Sequence, residues 1–230
     1  MTYAESILSF NRQLKLNAKL PEGFELMNPF EGEGSEVIWS ITEAFYKRFY
    51  SDGKPRNLIL GINPGRLGAG ATGIPFTDTK RLNTECEIPF DGFESHEPSS
   101  VFVYEMIKAF GGVDTFYSQY YINSICPLGF LKLNEKGNRV NANYYDDKKL
   151  YAAVKTFVIK SLKMQMEWGL NREIVWCMGC GLNFKYLKEL NKEFKLFGKI
   201  IPLDHPRYVV QYQSKRMSEY VEKYLELLCL

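Results

Sequence analysis

The chain has 230 residues, with 29 Lys and Arg against 27 Asp and Glu, so its net charge of +2 neither demands nor excludes a polyanionic partner. Apolar residues make up 45% and aromatics 15%, enough for a real core, and the length suits one sizeable α/β domain rather than two. No apolar run is long enough to span a bilayer, the start MTYAESILSF lacks the regions of a signal peptide, and five cysteines without framework spacing fit a reducing compartment, so a soluble, intracellular protein is expected.

Ala4, Ile7, Leu8 and Leu14 recur at roughly helical spacing before Pro21. The loop NPFEGEGSE leads to a second helix, with Ser35 as its expected cap and Ile38, Ile41, Phe45 and Phe49 as its buried stripe. After the turn SDGKPR, the run NLILGI reads as a buried strand. Three more such runs follow: YYINSI near 120, EIVWCMG near 173–179 and GKIIPL near 198–203. Helix patterns occupy 99–110, 147–168 (Leu150, Val154, Phe157, Met164, Trp168), 183–194 and 214–229 (Met217, Val221, Leu225, Leu228). There is no repeat and no low-complexity linker. The alternation predicts a three-layer α/β/α sandwich around a mostly parallel four-stranded sheet. The N-terminal helices of 1–50 are expected to pack on the core of 55–230 as one domain.

In open α/β sheets the ligand sits outside the carboxyl ends of the strands. That rule selects Asn63 and Pro64 after the first strand, Asn123 at the end of the second, and His205 and Pro206 after the fourth. Beside them lies GINPGRLGAGATGIPF, with five glycines in sixteen residues. Gly68, Gly70 and Gly73 spell G-x-G-x-x-G, the dinucleotide fingerprint. That fingerprint needs its glycines in the turn from strand to helix. Gly68 lies six positions past Ile62, too late for such a turn, and the following IPFTDTKRLN carries no clear helical stripe. No acidic residue closes the next strand, and Gly-Lys-Ser/Thr is absent. The loop is therefore read as a backbone folded around a small flat ligand, with Phe76 at one side.

GINPG from Gly61, TGIPF ending at Phe76, NSICPL from Asn123 and Asp204-His205-Pro206 together resemble the uracil-DNA glycosylase superfamily. Within it they are most similar to the single-strand-selective monofunctional enzymes. The resemblance runs from about Asn28-Pro29 to the C-terminus. It departs at Arg66, where the family has Pro, at Ala71, where it has Gln, and in RYVVQYQSKRM after His-Pro, where its DNA-inserting element falls. The chain thus resembles a divergent branch. The mismatch-specific uracil and thymine glycosylases share Gly-Ile-Asn-Pro-Gly but not a His-Pro motif, so His205 argues against that branch.

The resemblance implies a hydrolase that flips uracil, or a related damaged base, out of DNA in base-excision repair and cleaves its N-glycosidic bond. It implies no cofactor and no metal. Asn63 would position the attacking water, and His205 would donate to uracil O2. Asn123 would accept from N3–H and donate to O4, a pattern that cytosine reverses. Ile62 and Gly65 would lie against the base and Phe76 would stack on it. Arg66, Lys80, Arg81, Pro206, Arg207, Lys215 and Arg216 would face DNA, single- or double-stranded, from a monomer in the cytoplasm (at the nucleoid, if prokaryotic). Each residue also has a plainer reading: Asn63 as a turn residue, Asn123 as a partner of loop backbone, Phe76 as core, a His beside Pro as structural. His96 has no motif around it and reads as a surface residue. Cys177 and Cys180 have redox spacing but close an apolar strand, which favours buried thiols, and Cys86, Cys126 and Cys229 show no iron–sulfur spacing. The alternatives to a DNA glycosylase are a nucleic-acid-binding relative of the same fold and an enzyme acting on a free nucleoside or nucleotide.

Overall fold

The computed structural model describes residues 1–230. Helix α1 (Tyr3–Arg12) starts at a reciprocal cap: the Thr2 hydroxyl accepts from the Glu5 N–H while the Glu5 carboxylate accepts from the Thr2 N–H. It buries Ala4, Ile7 and Leu8, and Leu14 is buried just past its end. Strand β1 (Phe24–Met27) precedes α2 (Ser35–Phe49). Ser35 is not the cap of α2 but its first residue. Gly34, at φ 80°, occupies the cap position, a left-handed backbone that glycine adopts without a Cβ clash. Ile41, Phe45 and Phe49 are buried as expected, and Ile38 is half-buried.

Strand β2 (Asn57–Gly61) enters the glycine loop, which contains one turn of helix, α3 (Ala69–Thr72), and then α4 (Thr79–Thr84). Helices α5 (Pro98–Ala109) and α6 (Val113–Gln119) lead to β3 (Tyr120–Ser124). A hairpin of β4 (Gly129–Leu133) and β5 (Arg139–Ala142) follows, then α7 (Lys148–Met166) and β6 (Asn171–Met178). The chain finishes with α8 (Leu182–Phe194), β7 (Lys199–Leu203), α9 (Pro206–Tyr212), a 3-10 turn (Ser214–Arg216) and α10 (Met217–Leu228).

The four expected strands form one parallel sheet in the order β3-β2-β6-β7, the middle layer of a three-layer α/β fold. A second sheet, β1-β4-β5, is antiparallel and has no counterpart in the sequence reading. Its strands are only four or five residues long, too short for their alternation to stand out from the surrounding loops. The short helices α4, α6 and α9 were hidden for the same reason: six or seven residues give no stripe to count.

One core of buried side chains runs from Tyr3 to Leu228. Helix α10 is tied into it at its end, where the Trp176 indole donates to Leu227 O (2.8 Å) and the Tyr224 hydroxyl donates to Asp204 O. The second bond anchors the residue immediately before His205. Cys86, Cys126 and Cys177 are buried, but Cys180 is exposed, because the chain has left β6 and turned outward at Gly179. No helix is long and apolar enough to cross a membrane.

Candidate active site

A cavity of about 580 Å³ opens at the carboxyl ends of β2, β3 and β7. It brings together Ile62, Asn63, Gly65 and Arg66 from the loop after β2, with Phe76 from the end of that loop. Ser124 comes from β3, and His205 and Arg207 from the segment after β7.

Asn63 is held from the second sheet. Its amide donates to Ala142 O at 3.2 Å and to Pro64 O at 3.3 Å, while its Oδ1 accepts from the Tyr144 N–H at 3.0 Å. A carbonyl oxygen has two lone pairs, so one remains for a water in the cavity. The Arg66 N–H donates to the Asn141 side chain at 3.1 Å, a second stitch to β5. Glycine at 65 keeps this stitch uncrowded, since a Cβ there would lie 3.2 Å from the Asn141 amide nitrogen. The close neighbour of Gly65 is thus another part of the protein.

Phe76 is buried and sits at φ 55°, a left-handed conformation uncommon for a residue with a Cβ. Such strain persists only where the surroundings over-determine it. Here the buried Thr72 hydroxyl donates to Thr77 O (2.6 Å), and Thr42 donates to Thr72 O (3.1 Å), fixing both ends of the turn. The Phe76 ring packs on the Cα of Gly61, where any Cβ would be 3.2 Å from it, and its centroid is 6.2 Å from that of His205.

His205 is the N-cap of α9. Its Nδ1 accepts from the Arg207 N–H at 3.1 Å, with Pro206 in the first helical turn. An acceptor nitrogen carries no proton, so the neutral ring holds its hydrogen on Nε2, and the hydrogen-bond network assigns the tautomer. Burial, aided by the charge of Arg207, pushes the His205 pKa down from 6.5 to about 4. The ring is therefore neutral near pH 7, a fixed N–H donor on the cavity wall.

Asn123 is also buried, but it does not line this cavity. Its amide donates to the Tyr121 hydroxyl and to Gln165 Oε1, both at 2.8 Å, and its Oδ1 accepts from the Ser124 N–H at 2.7 Å. It borders a void of about 20 Å³, whose walls of Pro64, Ala69, Pro75 and Ser124 are shared with the larger cavity.

Comparison with known proteins points the same way. A family model described as "Uracil DNA glycosylase superfamily" matches residues 48–229. The crystal structure of wild-type Pedobacter heparinus SMUG2 is similar over 99% of this chain and 97% of that one, at 47% identity and a TM-score of 0.95. This chain belongs to the uracil DNA glycosylase superfamily. Its fold and its resemblance to the single-strand-selective monofunctional branch agree with that neighbour, and the protein is a hydrolase of N-glycosidic bonds that acts on uracil in DNA. A binding-only relative, or an enzyme of free nucleosides, is not favoured.

For a glycosylase acting on DNA, the basic residues expected at the interface divide into two sets. Arg66 and Arg207 are exposed on the cavity wall, and Lys80 and Lys215 are exposed beyond it. Arg81 is a correction: its side chain is 12% exposed, and its guanidinium pairs with the fully buried Asp78 at 3.3 Å, so it serves the interior. Arg216 is exposed but forked onto Glu219, with contacts of 2.7–3.2 Å. Pro206 is buried and shapes the start of α9 rather than offering a surface. Five polar cavity residues were missed by sequence reasoning: Glu97, Ser99, Ser124, Asn141 and Asn143. The alternation Arg139-Val140-Asn141-Ala142-Asn143 is a period-two pattern that could have marked the last two. Glu97 had no signal.

Proposed function

We propose that the protein extracts uracil from single- or double-stranded DNA into this cavity and hydrolyses its N-glycosidic bond, without metal or cofactor, in base-excision repair. It works as a one-domain monomer in the cytoplasm. The polar groups of the cavity are amides, serine hydroxyls, an imidazole, a carboxyl and guanidinium groups rather than a metal-ligand set.

The observation that carries this reading is the fixed tautomer of His205, with Nδ1 committed to the helix cap and Nε2–H left over. Extraction of the nucleotide costs roughly a few kcal/mol, repaid by stacking on Phe76 and by hydrogen bonds to the base edge. Water, oriented by the spare lone pair of Asn63 Oδ1, adds to C1′ while the C1′–N1 bond breaks and its electron pair leaves with the base. The water proton passes to solvent, and the sugar keeps the new hydroxyl in an unbroken strand. Negative charge grows on uracil O2 as the bond breaks. A preorganised donor there, His205 Nε2–H, stabilises the transition state by ~3–4 kcal/mol. A neutral ring also leaves the ground-state base uncharged by proton transfer.

Ile62 and Gly65 border the base, and Asn123 reads its edge once the shared wall of Pro64, Ala69, Pro75 and Ser124 gives way and joins the small void to the cavity. Asn123 Oδ1 keeps one lone pair for N3–H, while donation to O4 requires Tyr121 or Gln165 to release one amide hydrogen. The test is release of free uracil from an oligonucleotide and from deoxyuridine in excess EDTA. The reading expects release from the oligonucleotide alone, leaving an intact abasic strand. Loss of activity in EDTA, or a strand nicked by borohydride-trappable protein, would overturn it.

A further inference from the structure

The cavity contains a carboxyl group that the reaction above does not use. Glu97 lies on its wall with Arg207, and Glu97 Oε2 is sealed from solvent with no hydrogen-bond partner. The group is held in place: a Cβ on Gly68 would come 2.0 Å from that oxygen, so the carboxyl rests directly on a glycine backbone.

The available donors have gone to another acid. Asp78 Oδ1 accepts from the Arg81 N–H (3.0 Å), and Oδ2 accepts from the Glu97 N–H and the Ser100 hydroxyl (both 2.9 Å). The Arg81 guanidinium reaches Oδ2 at 3.3 Å, and His96 Nδ1 stands 3.5 Å from it. Asp78 therefore has everything a carboxylate needs, and Glu97 beside it has nothing. An unpaired buried carboxylate is costly, and the group avoids that cost by keeping its proton. Burial first, then the charge of Asp78, push the Glu97 pKa from 4.5 up to about 8, with Arg207 opposing. The charged or titratable groups around Glu97 are Asp78 before α4, Arg81 on α4, His96 next to it in the chain, and His205 and Arg207, which line the same cavity.

A carboxylic acid beside an unpaired guanidinium offers an O–H donor and a cation together, a combination suited to an anionic oxygen. We propose that Glu97 is a ligand of the DNA backbone: with Oε2 sealed against Gly68, its Oε1–H donates a hydrogen bond to a phosphate oxygen flanking the extruded nucleotide, alongside Arg207. An ionised Glu97 would instead place two negative charges face to face. DNA binding is then coupled to one proton, held below about pH 8 and taken up above it. This rests on the glycosylase reading for the position of the DNA, but it is tested by binding alone.

The experiment measures affinity for an oligonucleotide carrying a tetrahydrofuran abasic analogue, from pH 7 to pH 9, at fixed salt. The wild-type protein should lose affinity above pH 8, approaching tenfold per pH unit. Glu97→Gln, neutral and still a donor, should bind within about threefold of wild type at pH 7 and lose the pH dependence. Glu97→Met, neutral and without a donor, should also be flat but about tenfold weaker at pH 7. A methylphosphonate at the contacted position should abolish the pH dependence in the wild type. The proposal is overturned if Glu97→Gln keeps the wild-type slope, or if Glu97→Met binds like Glu97→Gln. A slope that survives methylphosphonates on both flanks also overturns it, since no phosphate then receives the hydrogen bond. Uracil release by the wild type at pH 7, measured in parallel, separates failure of this proposal from failure of the glycosylase reading.

Discussion

The stretch from Asn63 to Phe76 and the stretch from Pro206 to Arg216 border the same cavity and are built on opposite plans. The first is largely buried, stitched to β5 through Asn63 and Arg66, and ends in a strained Phe76. The second is a short helix and a 3-10 turn that leaves Arg207, Tyr208, Tyr212 and Lys215 exposed. Bond cleavage needs donors and acceptors that do not reorganise as charge develops, so it is served by braced groups. Contact with a flexible polyanion needs reach and charge more than precision, so an exposed helix suffices. His205 stands at the junction, its imidazole fixed by the first turn of the exposed helix.

The sharpest way to break this contrast is to remove its fixed groups. Asn63→Ala and His205→Ala should each lower the single-turnover rate by about 10²–10³ while largely keeping DNA affinity, because both act on the transition state. Rate against enzyme concentration on a uracil oligonucleotide gives both quantities. Since His205 also caps α9, His205→Asn is the control: it keeps a capping side chain, worth ~1 kcal/mol, and should still lose the rate. Near-wild-type turnover in both alanine variants would leave the braced wall with no chemical role.

Next in size is a change that looks like a DNA contact and is not. Arg81→Ala strips the buried Asp78 of its guanidinium and should destabilise the fold by about 3 kcal/mol, read as a fall in Tm. The affinity of the folded fraction for DNA should not change. A weakened DNA affinity with unchanged Tm would move Arg81 to the interface.

The exposed wall should respond more mildly. Arg207→Ala should weaken duplex binding about tenfold, weaken single strands less, and reduce the salt slope by about one. Arg216→Ala should cost less still, because Glu219 already occupies that guanidinium. Equal losses on both substrates for Arg207→Ala would mean that it only steers encounter.

Graded effects appear in stability against pH. The His205 pKa lies below its unfolded value, so its contribution is present above pH 6.5 and is lost as pH falls towards about 4. The Glu97 pKa lies above its unfolded value, so its contribution is present below pH 4.5 and is lost as pH rises towards about 8. Between pH 6.5 and 8 only the second slope remains, at most about 1.4 kcal/mol per pH unit. The difference in unfolding free energy between wild type and Glu97→Gln should follow that slope, and a constant difference across the window would contradict it.

What could be read without coordinates follows from how strongly each feature marks a sequence. The parallel strands were legible because NLIL, YYIN and IVWCM are buried on both faces and form apolar runs, and the edge strand KIIPL is an apolar run even though Lys199 and Pro202 are exposed. Asn63 and His205 were legible because motifs place them just after strand ends, and Phe76 because it closes the glycine loop. The hairpin that holds Asn63 was not, since β5 pairs through its backbone and presents polar side chains. Arg81 and Arg207 look alike as letters, and only burial assigns one to Asp78 and the other to the cavity. The Glu97 carboxyl depends on contacts with Asp78 and Gly68, which are distant in sequence.

The central claim is that His205 presents a neutral Nε2–H donor to the cavity while Nδ1 caps α9. With only two histidines in the chain, ¹⁵N NMR of the labelled imidazoles can read it directly. The account predicts that one histidine, identified by its loss in His205→Asn, stays a neutral Nε2–H tautomer from pH 7 down to about pH 5 and titrates near pH 4. A His205 ring that is protonated at pH 6.5, or that carries its proton on Nδ1, would contradict it.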